Sequence, residues 1–292
     1  MEIAMPAVVY HYCSLPTFLK IFKTRTLWLS DISKSNDSME LKWVYLQYRD
    51  LLNKNIDNLD NEAKKEIPLV NMILDVWMEK IHPTWCVCFS EKGDLLSQWR
   101  AYSDDGRGLS IGFDSSILGR IGEILGEIYI RFGKINYNIW DLIRPHFNPK
   151  PIEMYKSIVS PFSQFSTNFS IIDEKAPFYK NPSFQEECEW RLALSYRDIS
   201  KISDPISKEV AEKLAIQKVK IGSIDFETIR DQSVSHFDLI FYDFKNAIKE
   251  IVIGPKSKET IESIKLFLIS QGLLDDMDDN SIKVIKSTSS YQ

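Results

Sequence analysis

The residues best suited to chemistry lie in one stretch, Phe184–Leu194, with the sequence FQEECEWRLAL. Phe184, Cys188, Trp190, Leu192 and Leu194 share one parity, with Glu186 the exception, and Gln185, Glu187, Glu189, Arg191 and Ala193 share the other. A strand repeats every two residues, so the first set is expected to face a core and the second to face outward. Successive residues on one strand face stand roughly 7 Å apart, close enough for Glu187, Glu189 and Arg191 to touch one small ligand. A fixed carboxylate stabilises positive charge developing on a sugar ring. A second one orients or deprotonates the attacking group. Arg191 would hold a phosphate through two parallel hydrogen bonds, or pair with Glu189 or Glu187. The same alternation also suits the solvated face of a half-buried antiparallel strand.

The elements that must position these groups are read from apolar spacing. VVYHYCS (residues 8–14) reads as a strand carrying His11, and Phe18–Phe22 as a short amphipathic helix. TLWLSD (26–31) is a second strand, and Asp37 or Ser38 is suited to cap the next helix, with Glu40 in its first turn. Helical spacing then runs through Leu41, Val44, Tyr45, Tyr48, Leu51 and Leu52, and again from Ile67 to Ile81, with a polar surface loop between. TWCVCFS (84–90) is a strand with Trp85, Val87 and Phe89 on one side and Cys86, Cys88 and Ser90 on the other.

A short helix over Leu95–Tyr102 would place Trp99 and Tyr102 on one face. That pair is either core packing or an aromatic wall for a flat ring. The run Asp104–Gly108 reads as a tight turn and Leu109–Phe113 as a strand. Asp114 or Ser115 would cap the helix that follows. Six prolines between Pro145 and Pro182 break up residues 138–183. Phe237–Phe244, Glu250–Ile253 and Ile282–Ile285 read as strands, and Glu259–Gly272 as an amphipathic helix. The expected fold class is α+β. A central mixed or antiparallel sheet of short strands lies within one domain, 1–292, with helical insertions at about 39–81, 138–183 and 200–236.

Composition narrows the function classes. The chain has 292 residues, 44% of them hydrophobic, enough for a large core. A net charge of −5 gives no overall attraction to a nucleic-acid backbone. Apolar runs fall short of the ~20 residues that cross a bilayer. No basic segment followed by an apolar one opens the chain, so the expectation is a cytoplasmic protein that neither enters nor binds membranes. The four cysteines, Cys13, Cys86, Cys88 and Cys188, form no C-x-x-C pair and fit reduced thiols. Cys86 and Cys88 with His11 or Cys13 lack the spacing of common zinc sites, so no metal is expected.

Several segments carry a resemblance. CFSEKGDLLSQWRAYSDDGRGLSIGF, KNPSFQEECEWRL and IKEIVIGPKS resemble the bacterial family called domain of unknown function 2971, and TLWLSDISKSNDSMEL and YHYCSL are similar to its opening strands. The resemblance runs from about Val9 to about Ile285. Members often close with Ser-x-x-Pro-Tyr-Arg, whereas this chain ends in STSSYQ. The order of parts in turn resembles that of ADP-ribosyltransferases. That resemblance implies a split sheet and NAD as substrate. His11 would hold the nicotinamide ribose, and Ser30 or Ser14 would follow it. Tyr102 or Trp99 would stack on the nicotinamide. Glu189 would be the catalytic acid and Glu187 would align the nucleophile, while Tyr12 and Arg191 would complete the cofactor site.

The implied activity is transfer of ADP-ribose to a protein or nucleic acid, or hydrolysis of NAD. The biological setting would be a bacterial toxin or anti-phage defence effector, with a macromolecular acceptor and an activating or neutralising partner protein. Two other classes compete. A glycosidase needs carboxylates opposed across its substrate, which two acids on one strand face suit poorly. A non-catalytic nucleotide-sensing module would bind ligand without turnover and tolerate Glu189→Gln.

Overall fold

A computed structural model describes residues 4–35, 39, 41–54, 56–58, 61–79, 83–139, 175–196, 198–204, 206–229 and 231–291. The expected caps at Asp37 and Ser38, Glu40, and most of the 138–183 insertion lie outside these. The chain divides into two compact units: residues 1–31, 85–134 and 186–292 make the first, and residues 32–84 and 135–185 the second.

The first unit begins with β1 (Val8–Cys13), α1 (Leu15–Thr24) and β2 (Thr26–Asp31). Ser14 caps α1 by accepting a bond from the Thr17 amide, and Arg25 ends it in the left-handed region at φ 54. Phe18, Ile21 and Phe22 form its buried stripe. Then come β3 (Thr84–Ser90), α4 (Leu96–Tyr102), β4 (Leu109–Asp114), α5 (Ser115–Ile121) and β5 (Ile128–Lys134). Asp114 is the residue that caps α5. The second unit holds α2 (Lys42–Lys54) and α3 (Asn61–Glu79), the helical pair expected over 39–81. These helices bury Val44, Tyr45, Tyr48, Ile67 and Leu74, and Arg49 pairs with Asp75 at 2.8 Å.

The first unit closes with β6 (Glu189–Tyr196), α6 (Lys208–Ile216), β7 (Val219–Ile229), β8 (Gln232–Phe241), α7 (Phe244–Ala247), β9 (Ile248–Ile253), α8 (Ile261–Ser270) and β10 (Lys283–Lys286). The expectation of a helical insertion over 200–236 needs correction. Among the described residues of that stretch only Lys208–Ile216 is an α-helix; Val219–Ile229 is a long strand, hairpinned to β8 through Asp231 at φ 61. The outer half of β7 is exposed on both faces, so it lacks the apolar alternation that marks a strand in a sequence.

Among the described residues the strands form one sheet of ten, in the order β10-β9-β4-β1-β3-β2-β8-β7, with β6 bonded to β3 and β5 to β6. The pairs β1–β4, β4–β9, β2–β8, β7–β8 and β5–β6 are antiparallel, and β9–β10 is parallel. This is the α+β class with a mixed, largely antiparallel sheet. β3 is bonded to β1 at Ser90, to β2 at Cys86 and Trp85, and to β6. A strand has only two edges, so the sheet branches at β3.

One face of the sheet supplies the core. Val9, Leu27, Leu29, Val87, Phe89, Ile111, Phe113, Leu192, Phe237 and Ile251 pack there with Phe18 and Phe22 of α1 and Ile264 and Leu268 of α8. Each such side chain contributes about 1.5–3 kcal/mol when fully buried. By register and alternation, the opposite face carries Tyr10, Tyr12, Trp28, Ser30, Cys86, Cys88, Ser90, Glu189 and Arg191. Among the described residues no helix is long and apolar enough to cross a membrane.

Candidate functional site

The Glu-x-Glu stretch does not form one continuous strand. Pro182–Glu187 is a run of 3₁₀ turn, Cys188 sits in the left-handed region at φ 48, and β6 begins only at Glu189. Backbone bonds fix this break: the Glu187 carbonyl accepts from Ser90 Oγ at 2.7 Å, and the Cys188 carbonyl accepts from the Glu91 amide at 3.0 Å. The left-handed residue interrupts the two-residue alternation, so Glu187 leaves the face that Glu189 and Arg191 share.

The expected solvated face is also corrected. Glu189 is 4% exposed and Arg191 1%. Arg191 Nε donates to Glu189 Oε1 at 2.6 Å and its Nη2 donates to Oε2 at 3.2 Å. β6 is therefore buried on both faces. A charge there is tolerable only when paired and hydrogen-bonded, and the fork of the guanidinium matches the carboxylate.

Glu187 is half-buried, and its Oε1 accepts a bond from the Tyr102 hydroxyl at 3.0 Å. Tyr102, on the last turn of α4, is 37% exposed. Trp99 on the same helix is 0% exposed; its indole donates to Asp94 at 2.7 Å and it packs edge-on against Tyr12. The expected wall of two rings reduces to Tyr102, because Trp99 is wholly inside.

The opening strand divides its residues in the same way. Tyr12 is buried, donating to the Lys92 carbonyl at 2.7 Å and accepting from the Leu95 amide at 2.9 Å. These bonds pin the β3–α4 connection and leave Tyr12 no approach to a ligand. Ser14 is engaged as the α1 cap. His11 is half-buried with Nδ1 3.0 Å from the Cys88 carbonyl, so that nitrogen is the donor and Nε2 is left as an acceptor. Burial lowers the His11 pKa below its ordinary value, outweighing the opposing effect of that bond, and the ring is neutral at neutral pH. His11 shares the core parity of Val9 and Cys13, whereas Ser30, Cys86 and Cys88 take the opposite parity with Glu189. The β3 backbone thus lies between His11 and the Glu189–Arg191 pair.

Cys86 and Cys88 bring their sulfurs to 3.8 Å. The bond to Cys86 pushes the thiol of the exposed Cys88 up, with Glu189 adding to the rise and Arg191 opposing it. All four cysteines are free thiols. No group of three or more His, Cys, Asp or Glu side chains among the described residues is placed to hold a metal ion.

Residues 98–192 match the family model described as "Protein of unknown function (DUF2971)". Over those residues the chain is similar to the DUF2971 family. No curated protein and no solved structure matches it. The matched span contains Trp99, Tyr102, Glu187, Glu189 and Arg191, and leaves His11, Tyr12, Ser14 and Ser30 outside.

The structure also gives defined places to residues around α4 and at the C-terminal end of the described chain. Asp94 accepts bonds from the Trp99 indole, the Ser287 hydroxyl, and both the amide and hydroxyl of Thr288. The turn after α4 holds Asp104, Asp105 and Gly106 at positive φ, and Asp105 binds Lys256 at 3.0 Å and the Tyr291 hydroxyl at 2.5 Å. Lys256 and Arg100 both lie over the Tyr291 ring. Tyr291, near the end of the chain, therefore has a defined place. Sequence reasoning passed over Tyr291 and read Gly93-Asp94 only as a turn and helix cap, whereas Leu95 takes the cap position with no side-chain bond and Asp94 instead binds Trp99, Ser287 and Thr288.

Proposed function

We propose that this protein is an ADP-ribosyltransferase-like enzyme that cleaves NAD between nicotinamide and ribose. The ADP-ribosyl group passes to a macromolecular acceptor or to water. The observation that carries the reading is the Tyr102–Glu187 pair: an accessible carboxylate, bonded to an exposed aromatic, immediately before the strand that bears the buried Glu189–Arg191 pair. The branching of the sheet at β3, next to His11, Ser30 and β6, fits the split sheet of such enzymes.

In this reaction the C1′–N bond breaks, nicotinamide leaves with the electron pair, and positive charge grows on the ribose. Glu187 supplies a negative charge to that state, and takes the proton of the attacking hydroxyl, amide or water. Tyr102 positions Glu187 and offers its ring to the nicotinamide. Glu189, held by Arg191, keeps the start of β6 in place. The neutral His11 presents Nε2 as an acceptor for a ribose hydroxyl. The resemblance alone had assigned the acid to Glu189; accessibility favours Glu187.

A second reading has its own support. Both Glu189 oxygens are occupied by Arg191, an arrangement suited to a structural pair in a nucleotide-binding module without turnover. Nicotinamide release by purified protein, with cell lysate as a source of acceptors, separates the two. Turnover by wild type that is lost in Glu187→Gln supports the enzyme. NAD binding by calorimetry without turnover in any lysate supports the module, and absence of both binding and turnover overturns the NAD reading.

A further inference from the structure

On the β2–β8 side of the polar face, two buried polar atoms lack any hydrogen-bond partner. These are His236 Nδ1 and Asp238 Oδ1. His236 is 3% exposed. Leaving such an atom unpaired costs about 1–3 kcal/mol, so each needs a partner, from ordered water or from a bound ligand group.

The surroundings are built rather than incidental. Ser30 is the cross-strand partner of His236, and Trp28 that of Asp238, which places all four on one face. Trp28 stacks on the imidazole with ring centroids 4.0 Å apart, and Lys20 lies over the indole at 3.9 Å. The ring is thereby fixed in orientation. His236 Nε2 stands 3.8 Å from Asp238 Oδ1, too far for a hydrogen bond but close enough for one ligand group to reach both residues. Opposite Asp238 the ladder of β7 shifts register between Ile221 and Ile224, and Gly222 sits so close that an added Cβ would lie 3.2 Å from the Asp238 Cβ. A bulge of this kind re-aims side chains at the edge of a sheet.

We propose that His236, Asp238 and Ser30 form a binding site for the hydroxyl groups of a sugar, of the ribose type. The chemistry of the set selects the class. A carboxylate oxygen accepts, an imidazole nitrogen accepts or donates, and a serine hydroxyl does both, which together match neighbouring hydroxyls. The same set is ill-suited to a metal ion, since no third ligating group is at hand among the described residues. Taking ribose in particular rests on the NAD reading above; the hydroxyl-binding site itself does not.

The test is a long-range ¹H–¹⁵N NMR titration of the imidazole signals with ADP-ribose and, separately, with NAD. It is paired with calorimetry on wild type, His236→Gln and Asp238→Asn. The expected result is a shift of the His236 signals on adding ADP-ribose, and about a tenfold weaker affinity in each variant, the size of one lost hydrogen bond. Asp238 has an exposed side-chain edge, so Asp238→Asn remains informative if His236→Gln fails to fold. His236 signals that stay unmoved by both ligands overturn the proposal, as does an affinity for ADP-ribose unchanged in Asp238→Asn. NAD turnover with a silent His236 overturns this site and leaves the enzyme reading standing. A His236 shift with ADP-ribose in a protein that never consumes NAD supports the site and overturns the enzyme.

Discussion

Arg191 grips the carboxylate of Glu189 from two positions further along the same strand, Nε to Oε1 at 2.6 Å and Nη2 to Oε2 at 3.2 Å. Both residues are buried, so removing one partner strands a charge without water. Arg191→Met is expected to destabilise the protein by about 3–5 kcal/mol. Replacing both residues by apolar ones of similar volume recovers most of that loss. Urea denaturation of the single and double variants checks this.

Glu187 and Tyr102 differ from that pair in being reachable by solvent. Their conservative variants should leave stability within about 0.5 kcal/mol of wild type. Glu187→Gln is expected to lower NAD cleavage by about 10²–10³, the effect of one preorganised electrostatic contact. Tyr102→Phe removes one hydrogen bond and is expected to cost up to about tenfold. Steady-state nicotinamide release, with unfolding curves as the control, measures both.

Asp94 ties the C-terminal segment to the β3–α4 connection. Burial alone would raise its pKa, but bonds from Ser287, Trp99 and Thr288 outweigh it and hold the carboxyl below the ordinary range. A pKa lowered by folding gives stability that is complete above the unfolded value of about 3.9. That stability is lost as the pH falls through the lower folded value. The stability gap between wild type and Asp94→Asn should therefore be full near neutrality and close under strongly acidic conditions. Denaturation midpoints across the acid range test the sign.

Two glycines should respond differently to alanine. A Cβ on Gly108 would collide with the Cys13 carbonyl oxygen, which is backbone and cannot swing aside. Gly108→Ala is expected to cost about 1–3 kcal/mol or more, as overpacking does. Gly272 has φ +68 and open space around its Cα, so Gly272→Ala pays only the left-handed backbone term, about 1–2 kcal/mol. Gly272→Asn should recover part of it. Thermal unfolding ranks the three.

Local pattern was enough to place most elements. The strands at 8–13, 26–31, 84–90 and 109–114, the helix at 42–54 and most of the helix at 61–79 follow from apolar spacing in the chain itself. The first turn of the latter, from Asn61, falls in the stretch expected as a surface loop. Of the two caps offered, Asp114 and Ser115, the structure uses Asp114. The same pattern failed at Glu187. A single left-handed residue, Cys188, shifts the alternation by one, and nothing in a cysteine announces that conformation; bonds from Ser90 and Glu91, about a hundred positions away, impose it.

Burial was likewise beyond local reading. Alternation tells which residues share a face but not whether that face meets water. Only the packing of β6 beside β3 turned Glu189 and Arg191 from a solvated pair into a buried one. Trp99 went inside and Tyr102 stayed out, three residues apart on one helix, because Tyr12 and Asp94 claim the indole while Glu187 holds the phenol. His236 and Asp238 had no signal of their own, since a histidine and an aspartate in an alternating strand are ordinary. Their unpaired atoms exist only where β2, β7 and β8 meet. The sequence by itself determined which groups this protein can use; the long-range pairing of strands decided which of them a ligand can reach.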